Sequence, residues 1–141
     1  MSICFLSLET SKVFNQLILK HIEEVGYESI SMSSLLIFPY LQKSDKQSIS
    51  TLAKELNQSR QATHKSIKKL EELDYIKLVQ EKNKKEINIS LTKKGTALLE
   101  EANSFIEKLQ SQLTKIVGKK ELEQFIENQN IIFDYLNSKL D

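Results

Sequence analysis

Residues 48–91 read SISTLAKELNQSRQATHKSIKKLEELDYIKLVQEKNKKEINISL. Two helical patterns and one alternating pattern follow each other without a gap. Ile49, Leu52, Ala53 and Leu56 recur at i, i+3, i+4 and i+7, the period of one buried helix face. Asn57-Gln58-Ser59 interrupts them with turn-forming residues, and Ser59 is placed to cap what comes next. A second helix is predicted from about Arg60 to Leu73, with Thr63, Ile67 and Leu70 along its inner side and Ser66 and Leu73 flanking them. Ile76, Leu78, Ile87, Ile89 and Leu91 then alternate with Lys77, Val79, Asn88 and Ser90, which is the period of a β-hairpin.

The outer side of the second helix carries Arg60, Gln61, His64, Lys65 and Lys68. Such side chains donate to base edges and to phosphates, while the inner side docks on the preceding helix. A helix-turn-helix uses its second helix in this way, in the major groove of DNA. Ala53 suits the first helix, because a small side chain lets the second cross it closely. The hairpin tip, Glu81-Lys82-Asn83-Lys84-Lys85, is polar and mostly basic. A basic hairpin after such a helix reads as a wing that reaches a minor groove or a row of phosphates.

These residues resemble the MarR (multiple antibiotic resistance regulator) family of winged-helix transcription factors. The resemblance is carried by Ile49-Ser-Thr-Leu-Ala-Lys-Glu-Leu56, Ser59-Arg60, Lys69-Leu70-Glu71 and Ile89-Ser-Leu-Thr-Lys-Lys-Gly95, in that order and at that spacing. The last matches the family's exit from the wing into a long helix. The resemblance extends over the whole chain. It implies a homodimer whose first and last helices interlock, bound to a pseudo-palindromic operator, with a small-molecule effector pocket between dimer helices and winged helix. His21, Tyr27, Phe38 and Tyr40 are the candidates to line that pocket. Two positions depart from the family pattern. Asp74 stands near its usual glycine, and aspartate tolerates a left-handed turn better than most residues. Asn83, Lys84 and Lys85 stand where the family's wing carries an acidic residue and an arginine. Lysine lacks arginine's forked contact, so phosphate contact is the expected role of Lys84 and Lys85.

Charge agrees with this division. The whole chain carries only +1, but residues 60–95 hold ten Lys/Arg against five acids. Residues 1–59 carry −1 and residues 96–141 carry −3. The positive charge is thus gathered on the second helix and the hairpin, the footprint of a nucleic-acid face.

The flanks read as helices. One is predicted from Leu8 to Val25, with an apolar stripe at Val13, Phe14, Leu17, Ile18, His21, Ile22 and Val25, stopped by Gly26. Another spans about Ser33 to Gln42, where Pro39 either kinks the helix or sits in the first turn of one that starts late. A short polar segment from Lys43 to Gln47 follows. Thr92 is placed to cap a helix reaching Val117, with Leu98, Ala102, Phe105, Ile106, Leu109, Leu113 and Ile116 on one side. Gly118 ends it. The last helix, about Lys120 to Leu140, carries Leu122, Phe125, Ile126, Ile132, Phe133, Leu136 and Leu140, with Ile131 and Tyr135 off that stripe. These helices hold more apolar surface than one small core needs, which asks for a second partner.

The expected fold is therefore mainly α with a small β-hairpin wing: a dimerisation helix in 1–30, a winged helix-turn-helix in 31–95, and C-terminal dimerisation helices in 96–141. Several chemistries have no support. Cys4 is the only cysteine, so no internal disulfide or zinc-cysteine cluster forms. Among apolar neighbours and ahead of the predicted helix, Cys4 reads as a plain rather than a redox-active thiol. There is no Gly-rich phosphate loop, no nucleophile–base set and no histidine pair at ligand spacing, so no catalytic residue, metal or cofactor is expected. His64 reads more simply as a surface residue than as a pH sensor. No run of about 18 apolar residues occurs, and the first residues lack a signal-peptide pattern, so a cytoplasmic protein is expected. The competing reading is a winged helix used for protein–protein contact without DNA affinity. The basic segment and the outward Arg60, Gln61 and Lys65 weigh against it.

Overall fold

The computed structural model describes residues 1–44, 47–82 and 84–141. Asp45 and Lys46 of the polar connector and Asn83 of the hairpin tip lie outside the described residues. Met1–Asn103 form one compact unit and Ser104–Asp141 a second.

The first unit begins with α1 (Ile3–Glu24). It starts five residues earlier than the apolar stripe indicates, because Ser2 caps it by accepting from the Phe5 N–H at 3.1 Å. Cys4 therefore lies inside the helix, not ahead of it, and is exposed. Gly26 ends α1 at φ +105°, where the Gly26 and Tyr27 N–H groups close back on Glu23 and Ile22. The single helix expected over 33–42 is two: α2 (Met32–Leu35) and α3 (Phe38–Lys43). Pro39 sits in the first turn of α3, the second of the two alternatives.

Next come α4 (Ile49–Glu55) and α5 (Arg60–Glu72). Both end in the same device. Asn57 and Asp74 take φ of +52° and +65°, and the following N–H bonds back to the helix: Gln58 to the Ala53 carbonyl, Tyr75 to the Leu70 carbonyl, each at 3.0 Å. Asp74 thus takes the left-handed turn at which the resemblance implies a glycine. Three strands, β1 (Gln47–Ser48), β2 (Ile76–Gln80) and β3 (Ile87–Leu91), form an antiparallel sheet in the order β1-β3-β2. The hairpin register pairs Ile76 with Leu91 and Leu78 with Ile89, which is consistent with the alternation. Strand β1, pairing Gln47 with Ile89, was not expected. Finally α6 (Lys93–Val117) starts at Thr92, whose Oγ1 accepts from the Gly95 N–H at 3.0 Å.

The core gathers Ile22, Ile37, Phe38, Leu52, Ile67, Leu70, Tyr75, Ile76, Ile89 and Leu98, each almost wholly buried. At roughly 1.5–3 kcal/mol per buried side chain these set the stability of the unit. On α1 only Ile18 and Ile22 are buried, while Val13, Phe14 and Leu17 remain exposed.

The second unit holds the C-terminal part of α6 and α7 (Lys119–Ser138), entered through Gly118 at φ +108°. No described residue of α7 is buried, and Phe125, Ile131, Phe133, Tyr135 and Leu136 are all about 60% exposed or more. Among the described residues no helix is long and apolar enough to cross a membrane.

Candidate nucleic-acid interface

Helix α5 is oriented by its inner face. Thr63, Ile67 and Leu70 are 0%, 1% and 0% exposed, a turn apart along one side. Thr63 is tolerated there because its hydroxyl donates to the Ser59 carbonyl at 3.0 Å. Burying this stripe turns Arg60, Gln61, His64, Lys65 and Lys68 outward, and all five are exposed. Ser59 fixes the start by accepting from the Ala62 N–H at 3.1 Å. No acidic side chain lies in the first turn, so the positive end of the helix is left for an external anion. At 13 residues, α5 is about 20 Å long, a length that lies readily in a major groove about 12 Å wide.

The surface around α5 is grooved on three sides. Ser59, Gln61, Ala62, His64, Lys65 and Lys68 line a shallow groove of about 520 Å³ on the outward face. A second groove of about 490 Å³ runs along the α4 flank, between Ser50, Lys54, Asn57 and Arg60. A third, of about 630 Å³, lies between α2 and α5, where Ser31 and Ser33 face Lys65, Lys68 and Lys69. Thus Ser59, Arg60, Gln61, His64, Lys65 and Lys68, singled out from the sequence, are brought together. Ser50, Lys54, Ser33 and Lys69 beside them were missed. The i, i+4 placement of Ser50 and Lys54 on the polar side of α4 is the signal that would have found two of these.

The wing differs in detail from the expectation. Lys84 and Lys85 are both exposed, but Lys84 Nζ lies 2.9 Å from the Glu81 carboxylate. That hydrogen bond, with the Coulomb attraction of Glu81, raises the Lys84 pKa above its usual value. Gln80 closes the same turn by donating to the Lys84 carbonyl at 3.3 Å.

The four candidate pocket residues each have local partners. His21 Nε2 is 2.8 Å from Glu101 Oε1. Phe38 is buried with its ring edge against Tyr75, at 6.2 Å between centroids. Tyr27 packs at 6.4 Å from the same ring, and Tyr40 lies under the Lys43 ammonium at 5.7 Å. Among the described residues no group of three or more His, Cys, Asp or Glu is arranged to hold a metal ion.

A helix-turn-helix with a buried inner face and a cationic outer one, followed directly by a β-hairpin, defines a winged helix-turn-helix protein. Residues 35–77 match the family described as winged helix-turn-helix DNA-binding. Solved structures extend the likeness over nearly the whole chain. A complex of Staphylococcus aureus MepR with DNA superposes with a TM-score of 0.76 at 20% identity, covering 96% of this chain and 98% of that one. Wild-type MarR from Escherichia coli gives 0.74 at 15% identity, covering 94% and 97%. A MarR/EmrR family transcriptional regulator from Acinetobacter gives 0.68 at 23% identity, covering 98% and 99%. No curated protein matches the chain by sequence. At these identities the likeness establishes the architecture: this chain has the winged-helix fold of MarR-type regulators.

Proposed function

We propose that this protein is a sequence-specific double-stranded DNA-binding transcriptional regulator. It acts as a homodimeric repressor in a bacterial-type cytoplasm. The observation that carries the reading is the two-sidedness of α5. Its inner stripe is fully buried, so its outer face cannot be core, and that face carries Arg60, Gln61, His64, Lys65 and Lys68, with Ala62 among them and Glu72 at its C-terminal end. Gln61 pairs with adenine through both amide groups, and Arg60 forks onto guanine or clamps a phosphate. Ser59, His64, Lys65 and Lys68 supply further donors, and Lys84 and Lys85 supply phosphate contacts from the hairpin. That the MepR structure of the same fold was solved with DNA supports the choice of partner.

The dimer rests on apolar side chains left exposed on α1, α6 and α7, among them Phe14, Leu17, Ile106, Phe125 and Phe133. A second copy of the chain covers them, and two α5 helices then enter successive major grooves on one face of a pseudo-palindrome.

A mobility shift on random duplex DNA at several salt concentrations tests the reading. Affinity is expected to fall linearly in log–log form, with a slope near −0.9 for each phosphate neutralised. Duplexes selected from a random pool are expected to converge on a palindrome. A protein that shifts no duplex at low salt is the protein–protein module instead.

A further inference from the structure

Three segments far apart in sequence meet at one carboxylate. Glu28 lies in the connector after α1. One of its oxygens accepts from the Tyr75 hydroxyl at 2.7 Å, the other from Lys94 Nζ at 2.8 Å. The same ammonium donates to the Leu73 carbonyl at 2.8 Å, and Leu73 is the residue that closes α5. It also sits 4.7 Å from the centre of the Tyr75 ring. Around this point the backbone is fixed. The Thr92 N–H donates to the Tyr75 carbonyl at 3.1 Å, and its hydroxyl donates to the Asp74 carbonyl at 2.6 Å. A Cβ on Gly95 would overlap the Tyr75 carbonyl oxygen, so only glycine permits this approach.

The Lys94 and Tyr75 hydrogen bonds, in that order, lower the Glu28 pKa to about 2. The carboxylate is therefore charged at every physiological pH. Its side chain is nevertheless 50% exposed and that of Lys94 33%. Screened pairs of this kind add little stability. Tyr75 is already fully buried and packed against Phe38 and Tyr27 without its hydroxyl bond. What the carboxylate supplies is direction. It joins the connector leaving α1 to the C-terminal end of α5 through two side chains at once. Helix α5 is a lever of about 20 Å. A tilt of about 10° at its closed end would move Arg60 by about 3–4 Å, the length of a hydrogen bond.

We propose that Glu28, acting through Tyr75 and Lys94, is a positioning residue that sets the angle of α5 against α1. In the dimer it thereby sets the spacing at which two α5 helices meet DNA. The inference rests on the DNA-binding reading above. Part of the specificity then comes from a hydrogen-bonded junction that lies outside the interface.

The test uses the full chain with three duplexes. These are the palindrome selected by the wild-type protein from a random pool, the same duplex with one central base pair added or removed, and a random duplex of equal length. Glu28→Gln and Tyr75→Phe are expected to bind the selected palindrome about tenfold more weakly. Binding to random duplex stays unchanged, and the wild-type preference for one spacing is lost. Thermal unfolding measured alongside reports the folded fraction. If Glu28→Gln lowers the folded fraction, Lys94→Gln is read in its place by the same assay. A spacing preference as sharp as wild type in folded variants overturns the proposal and leaves Glu28 a staple. A loss of equal size on all three duplexes overturns it too. A wild-type protein that binds no duplex overturns the DNA-binding reading itself, and this inference with it.

Discussion

Helices α5 and α7 are both amphipathic, and they use their faces in opposite ways. The apolar face of α5 is consumed inside its own unit, at Thr63, Ile67 and Leu70, and what it shows outward is Arg60, Gln61, His64, Lys65 and Lys68. None of the apolar face of α7 is buried, and what it shows outward is Phe125, Phe133 and Leu136. The outward chemistry of each names a different partner. A cationic face with directional donors fits a polyanion with readable edges. An apolar face fits another apolar face, and in the proposed dimer a second copy of the chain supplies one. On this view α5 serves recognition and α7 serves assembly.

The contrast breaks at its largest expected effect if α7 is dispensable. Deleting residues 119–141 is expected to abolish the dimer, giving a monomer or an aggregate in sedimentation velocity. A truncated chain that sediments as a clean dimer removes α7 from the interface. The inner face of α5 is tested next by Ile67→Ala. Removing methyl groups from a core position only 1% exposed is expected to cost about 2–5 kcal/mol in thermal or denaturant unfolding. DNA affinity falls there only as the folded fraction falls.

The wing sharpens the contrast between readout and simple charge. Lys84→Ala with Lys85→Ala is expected to weaken binding about equally on all sequences. The salt slope becomes shallower by roughly one unit for each phosphate that is no longer neutralised. Because Lys84 already shares its charge with Glu81, Lys85→Ala alone is expected to carry the larger part. Preference weakened at particular A·T positions would instead mean that the wing reads the minor groove.

The smallest effect concerns acid. The folded-state pKa of Glu28 is lowered from 4.5 to about 2, so its contribution is present above about 4.5 and disappears as pH falls towards 2. Glu28→Gln is expected to lower stability slightly above about pH 4.5, where the charged carboxylate contributes, to converge with wild type towards pH 2, and so to flatten the acid part of the stability-against-pH curve. An acid limb identical to wild type would show that the carboxylate is not held as described.

Much of this was legible in the sequence, for a physical reason. Side-chain period reports facing, so the inner residues of α5 and the shared face of Ile76, Leu78, Ile89 and Leu91 followed from spacing alone. Asp74 was legible only through the resemblance, which places a glycine near that turn, and aspartate tolerates the left-handed conformation better than most residues. Other features had no such signal. Strand β1 is two polar residues, too short to show alternation, and is defined only by pairing with Ile89 and Asn88. The break between α2 and α3 falls at Leu36-Ile37, between apolar residues on both sides, so hydrophobic period runs through it. The Glu28 junction joins residues 47 and 66 positions apart. No local pattern reports such a contact. Among the candidate interface residues, Ser33 and Lys69 are brought together only by the packing of α2 beside α5.

The central claim is that α5 faces inward with Ile67 and outward with Gln61. It is tested most directly by the affinity of Gln61→Ala for the selected palindrome and for random duplex, measured with its thermal unfolding. The expected result is a loss of about 1–3 kcal/mol on the palindrome, a much smaller loss on random DNA, and an unchanged Tm. A Gln61→Ala protein that unfolds at lower temperature and loses both affinities together would mean that the helix faces the other way.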